Sequence, residues 1–240
     1  MATVLMATQQ EIPPVLWLSP RGELLVAGQP VRPKANGVVR TRALGGYAYS
    51  FAGPKSGILL GDLPPLRLTG SMTVATWINP RSYVDDGPGA QILFRGDDRS
   101  GLDPYTLVIH GDGTVNFGIN DEHYQGMSVS AELPLNRWSH VAATFSDKTG
   151  ELNLFLNGER VAYARTSKRP FATLDAGTAP GVSIGNVQND QGPHNQPFHG
   201  MLADLRLYPG VLTPEQAGYG YRPGLENGPV ALRPMKRIRS

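Results

Sequence analysis

The residues able to do chemistry are few and scattered. Two adjacent acidic pairs, Asp97-Asp98 and Asp121-Glu122, stand in polar stretches between apolar runs. Retaining sugar hydrolysis needs two carboxyls about 5–5.5 Å apart. On a strand, positions i and i+2 share a face and can supply them. Neighbours in a loop have no such fixed geometry. Of the histidines, His140 lies inside an alternating run and reads as structural, and His110 precedes a turn. His194 and His199 could supply two zinc ligands, but a third at convincing spacing is lacking. There is no Gly-x-Ser-x-Gly and no cysteine. A nucleophile elbow, a disulfide and a cysteine-based metal site are therefore excluded. The expectation is a protein that binds rather than turns over. Sugar recognition would use polar side chains and an exposed aromatic at loop tips. The candidates are Tyr83, Asp85 and Asp86 in one loop, Asp98 and Arg99 in the next, His123 and Tyr124 in a third, and Asn189, His194 and Asn195 in a fourth.

The elements that must hold these loops are strands. From Asn136 to Tyr163 apolar and polar residues alternate through Trp138, His140, Ala142 and Thr144, then Leu152, Leu154 and Leu156, then Val161 and Tyr163. Period two marks a strand with one buried face. Asn157-Gly158 between two such runs predicts a type I′ hairpin, which needs positive φ at both central residues. Further strands are predicted at Val15–Leu18 and Leu24–Val26, joined by a turn at 19–22, and at Tyr47–Phe51, Ile58–Leu60, Met72–Ile78, Gln91–Phe94, Tyr105–Ile109, Thr114–Ile119, Val182–Ile184 and Phe198–Tyr208. Residues 28–46 read as an ordered loop or arm. Thr213-Pro214-Glu215-Gln216 offers an N-cap followed by proline, hence one helical turn. Trp17, Trp77 and Trp138 all lie in strand-like runs and are expected in the core. About a dozen short strands, without βαβ alternation or an internal repeat, predict an all-β fold: a two-sheet antiparallel β-sandwich with irregular N- and C-terminal arms.

Composition agrees. The chain of 240 residues has 29 glycines and 21 prolines, which favours turns over helices. It has no apolar run of membrane-spanning length, so no membrane span is expected, and no recognisable signal peptide. The net charge of +2 is uneven. Residues 1–50 hold five basic and two acidic residues, and 222–240 hold Arg222, Arg233, Lys236, Arg237 and Arg239 against Glu226 alone. The stretch between carries a net −5. Basic ends on a mildly acidic body suggest anchors that dock on something acidic. The tail RPMKRIRS has no interleaved aromatics, so an acidic protein neighbour is expected before nucleic acid.

The order of these pieces resembles the laminin-G-like, concanavalin A-like lectin jelly-roll family. Tyr49-Ser50-Phe51-Ala52-Gly53, Met72 to Ile78, Ile92 to Asp97, Trp138 to Phe145, Leu154 to Gly158 and Gly200 to Tyr208 carry the resemblance. It covers about residues 47–217, leaving 1–46 as an N-terminal arm with a short hairpin and 218–240 as a basic C-terminal tail. The resemblance implies a jelly roll that binds glycans or protein surfaces. The strand of type Glu-x-Asp-x-x-Glu borne by glycosidase relatives is missing. Relatives often bind calcium through acids in a Phe-Asp-Gly turn and in the last strand. Ala52 and Ala203 stand there instead, and alternation turns neighbouring Asp204 to the other face, so no cofactor is expected. The functional expectation is a non-catalytic component of a large assembly such as a bacteriophage particle, on a virion or extracellular surface. There it would contact neighbouring chains and cell-surface glycan. A free carbohydrate-binding module of a secreted protein and a glycoside hydrolase-like enzyme are the alternatives.

Overall fold

A computed structural model describes residues 12–84, 88–97, 99, 101–187, 195–213 and 216. Among them seventeen strands follow in order: β1 (Leu16–Leu18), β2 (Leu24–Val26), β3 (Gln29–Pro30), β4 (Lys34–Asn36), β5 (Val38–Ala43), β6 (Gly46–Phe51), β7 (Gly57–Gly61), β8 (Met72–Pro80), β9 (Ala90–Gly96), β10 (Tyr105–Ile109), β11 (Thr114–Asn120), β12 (Gly126–Glu132), β13 (Ser139–Phe145), β14 (Glu151–Leu156), β15 (Glu159–Arg165), β16 (Gly181–Ile184) and β17 (Gly200–Tyr208). They form two antiparallel sheets. The larger runs β15-β14-β13-β8-β17-β1-β2-β3, with β6 also on β17 and β5 on β6. The smaller runs β12-β11-β10-β9-β16-β7-β4.

Alternation explains the stacking. Met72, Val74 and Ile78 of β8, Val141, Ala143 and Phe145 of β13, and Leu202, Leu205 and Leu207 of β17 meet Leu107, Val115, Phe117 and Ile119 of the other sheet in one core. Phe51, Phe117, Phe145 and Phe198 are fully enclosed there. Each such ring contributes roughly 1.5–3 kcal/mol of burial. The Asn157-Gly158 hairpin forms as the sequence predicts, with φ of +52° and +87°.

Three features differ from the sequence reading. Residues 28–46 are not a loop: they supply β3, β4 and β5. The exposed faces of these strands remove the alternation that would reveal them. β12 was likewise hidden, because as an edge strand it buries only Val129 fully. The tryptophans lie outside the main core. Trp17 stands between buried Leu16 and Leu18 and so points to the outer face of the larger sheet. Trp77 and Trp138 are buried in a separate outer cluster with Ala48 and Ala203.

The last strand holds a further irregularity. Ala203 faces Trp77 and Arg206 faces Ala75, so β17 carries a bulge between them. Asp204 takes φ +52° there. The bulge cancels the alternation expected for Asp204 and turns it to the outer face, where it meets Trp17 and Arg206.

Candidate functional site

The outer face of the smaller sheet carries a polar groove. Its floor comes from residues that alternate with the core: Thr106 on β10, Asn116, Gly118 and Asn120 on β11, and Gly126 and Ser128 on β12, with Met127 alongside. The register places Thr106 opposite Gly118 and Gly118 opposite Ser128, so a glycine sits mid-row between two hydroxyls. The row is therefore low at its centre, and the groove is a shallow depression of about 460 Å³, open to solvent. A Cβ built on Gly118 would meet its neighbours at 3.5–3.6 Å, ordinary contact. The glycine thus provides space and is not needed for backbone geometry. Gly126 is needed for close approach: a Cβ there would lie 2.0 Å from Asn120 Oδ1. Its absence lets Asn120 Nδ2 donate to the Asp103 carbonyl at 2.9 Å. Asn116 Nδ2 donates to Ser128 Oγ at 3.1 Å.

Two loops rise at the Asn120 end. In the β11–β12 turn Asp121 accepts the N–H groups of His123 and Gln125 at 2.9 and 3.0 Å and pairs with Lys168 at 3.1 Å. This turn holds Tyr124 at φ +60° with 60% of its surface exposed. An aromatic residue in the left-handed region is uncommon. Its ring lies over Gly101, where a Cβ would come within 3.0 Å. Beside it Arg99 grips Asp97, with Nε at 2.9 Å from Oδ1 and Nη2 at 2.6 Å from Oδ2. Burial pushes the Asp97 carboxyl up. The Arg99 side chain and the N–H groups of Asp175 and Arg99 more than offset this and hold it below the usual carboxylate range. Asp103 behaves in the opposite way. Burial, aided by the Asp97 charge, raises it to about 7. Beneath this end Arg95 is wholly buried, pairing with Asp62 at 3.1 Å and donating to the Phe171 and Ala172 carbonyls.

The structure brings together three residues expected from the sequence, Arg99, His123 and Tyr124, at one end of the groove. It separates two others. Tyr83 packs under Gly113, at the far end of β11, and its hydroxyl donates to the Leu133 carbonyl. Asn195 ties its loop together through the Pro54 carbonyl and Asn186. Both side chains are engaged in hydrogen bonds within the fold and lie away from the groove lining. Asp85, Asp86, Asp98, Asn189 and His194 lie outside the described residues, as do Arg222, Arg233, Lys236, Arg237 and Arg239. The groove floor sits on strands, whereas the residues expected from the sequence lie at loop tips. The repeated small polar pattern Asn116-x-Gly118-x-Asn120 was the available signal.

A second concavity of about 470 Å³ opens on the outer face of the larger sheet, against Trp17, Arg206, Tyr208, Leu212 and Gln216. Its polar groups bind one another: Trp17 Nε1 donates to Asp204 Oδ1 at 2.7 Å, and Arg206 pairs with Asp204 at 2.7 Å and stacks over Trp17. Nearby His140 packs edge-on to Trp77, and burial, with Arg206, lowers it to about 4. It is structural, as the sequence indicated. His199, which the sequence offers as a zinc ligand beside His194, shares a hydrogen bond with Ser82 Oγ at 2.8 Å. The calcium positions of similar proteins do not fit the ion here: alanine stands at 52 and 203, and Asp204 is taken up by Trp17 and Arg206. Among the described residues no cluster of three or more metal-ligating side chains exists. No helix there is long and apolar enough to cross a membrane.

A model of the concanavalin A-like lectin/glucanases superfamily, of the third laminin-G type, matches residues 52–218. The binding domain of Paraclostridial Mosquitocidal Protein 1 superimposes with a TM-score of 0.68 at 14% identity, covering 87% of this chain and 51% of its own. The botulinum neurotoxin serotype G binding domain gives 0.65 at 14%, covering 87% and 50%. The chain thus spans about half the length of these toxin domains. Domain 4 of AbnA, a GH43 extracellular arabinanase from Geobacillus stearothermophilus solved with arabinotriose, gives 0.66 at 18%, covering 89% of this chain and all of that domain. At such identities the likeness is one of fold. No curated protein sequence matches the chain.

Proposed function

The chain belongs to the concanavalin A-like lectin/glucanases superfamily, and from that premise we propose that it is a non-catalytic glycan-binding protein whose ligand lies in the groove across β10, β11 and β12. The observation that carries this reading is the groove floor: amide and hydroxyl side chains on a sheet, lowered at Gly118, with Tyr124 exposed in the turn between the lining residues Asn120 and Gly126. Amides and hydroxyls exchange hydrogen bonds with sugar hydroxyls. An exposed aromatic ring offers an apolar surface of fixed shape with a polar tip. Binding domains on the same fold, one of them solved with an arabinose trisaccharide, support the class.

Chemistry speaks against turnover. Both Asp97 oxygens are occupied by Arg99 and by the Asp175 N–H, and its side chain is fully enclosed. The second acidic pair is engaged differently, Asp121 in its own turn and Glu122 at the surface. No pair of facing carboxyls is presented to the groove by its lining residues. A finer part of the proposal concerns context. The uneven charge supports a protein carried on a larger assembly, such as a bacteriophage particle, with the basic residues of 222–240 as its anchor on an acidic neighbour and the sandwich displayed at a virion or extracellular surface.

A glycan array probed with the isolated protein tests the reading. Saturable binding to a defined set of oligosaccharides, with no release of reducing sugar from them, is expected. Absence of binding across neutral and acidic glycans, or turnover of a bound one, overturns it.

A further inference from the structure

The basic character of the N-terminal stretch is unused by the groove, and it reaches the edges of both sheets, with Lys34 on β4 of the smaller and Arg40 and Arg42 on β5 of the larger. Between Glu23 and Asp62 there is no acidic residue, whereas Arg32, Lys34, Arg40, Arg42 and Lys55 are all exposed. The larger sheet ends there in β5, which among the described residues pairs with β6 alone. Its six pairs run without a break from Val38↔Phe51 to Ala43↔Gly46. The other long edge of that sheet, β15, is interrupted by a bulge. Bulges blunt an edge against further pairing, and β5 has none.

The hairpin fixes which groups face outward. Leu44 and Gly45 take φ of +50° and +74°, a two-residue type I′ turn. In such a hairpin the flanking pair, Ala43 and Gly46, exchanges hydrogen bonds, and bonded pairs recur every second residue. The backbone N–H and C=O groups of Val38, Arg40 and Arg42 then point to the open edge. The side chains of Arg40 and Arg42 share one face, about 7 Å apart along the strand. The Tyr47 ring lies between them, with the guanidinium carbons 5.6 and 4.0 Å from its centroid. On the other face Val39 is 64% exposed, more than any other large apolar residue among those described.

We propose that the free edge of β5 is a docking site for an extended acidic peptide segment of another protein, which adds to the larger sheet as one more strand. Carboxylates at alternate positions of the incoming strand match the Arg40–Arg42 spacing. Apolar residues between them cover Val39. A second copy of β5 is disfavoured, since antiparallel self-pairing about Thr41 sets Arg40 against Arg42. A polyanion bound by charge alone would use the arginines but not the backbone edge.

Fluorescence anisotropy of the full-length protein with a labelled peptide of alternating glutamate and valine tests this. The peptide should bind. The same peptide N-methylated at alternate residues, which keeps its charge and loses strand hydrogen bonds, should bind about tenfold more weakly or not at all. The double variant R40E/R42E should lose the glutamate peptide and take up an alternating lysine–valine peptide, a gain that also shows it is folded. Equal binding of the N-methylated peptide to the wild-type protein overturns the proposal, whatever becomes of the variant. So does saturable binding of dextran sulfate without binding of the glutamate–valine peptide.

Discussion

Replacing Asp103 by asparagine isolates one buried carboxyl and turns its environment into a measurable slope. Asp103 is largely enclosed beside Gly96, where a Cβ would lie 2.3 Å from Oδ1, and near the negative Asp97. Burial, with Asp97, lifts its pKa from 3.8 to about 7. The folded state therefore holds this proton over a range where the unfolded chain has released it. Stability must fall as pH rises from about 4 to about 7, and level off above. A shift of about three units corresponds to about 4 kcal/mol at 1.36 kcal/mol per unit. Residual solvent contact screens the group and brings the expected drop to about 2 kcal/mol. The amide of Asp103→Asn keeps the shape and cannot ionise. Urea midpoints of both proteins between pH 4.5 and 8.5 give the test, because every other titrating group cancels in the difference. The variant should match the wild type near pH 4.5 and exceed it by about 2 kcal/mol at pH 8. Parallel profiles for the two proteins would refute the assigned burial of Asp103.

The remaining expectations concern stability and assembly. Arg95→Met removes the pin between β9, Asp62 and the carbonyls of Phe171 and Ala172. It should cost about 3 kcal/mol by leaving buried partners unmatched, read as a lower urea midpoint. Asn157→Ala forces alanine into φ +52° and deletes the acceptor for the His140 N–H at 2.9 Å. It should cost about 2 kcal/mol, and Asn157→Gly should recover the part due to φ. For the proposed assembly, deleting 222–240 should abolish incorporation while leaving the melting curve of the sandwich unchanged; normal incorporation contradicts the proposed anchor.

What the sequence revealed depended on how much apolar surface a strand buries. β8 and β13 are buried at every position, β14 sends Leu152 and Leu154 inward, and β17 keeps Leu202, Leu205 and Leu207 in the core across its bulge, so all four were legible, and the Asn157-Gly158 turn announced itself by residue type. β3, β4, β5 and β12 lie at sheet edges with much of both faces exposed, so nothing in their apolar pattern marks them. The bulge at Asp204 was invisible for a related reason: the side chain it turns outward meets Trp17, far away in sequence. Of the proposed site, His123, Tyr124 and Arg99 are polar or aromatic residues in loops, and residue type alone nominates them. Tyr83 and Asn195 look the same in sequence, but backbone carbonyls of Leu133 and Pro54 occupy them. The groove floor at Thr106, Asn116 and Ser128 required the pairing register, which only the folded sheet supplies.

The groove assignment is tested most directly by titrating one array-positive oligosaccharide into three proteins by isothermal calorimetry: wild type, Gly118→Val and Trp17→Ala. The valine fills the low centre of the floor without backbone strain, whereas Trp17 lines the concavity on the other sheet. An affinity lowered about tenfold or more by Gly118→Val and unchanged by Trp17→Ala is expected. Undiminished binding by Gly118→Val, with loss in Trp17→Ala, would move the site to the opposite face and contradict the account.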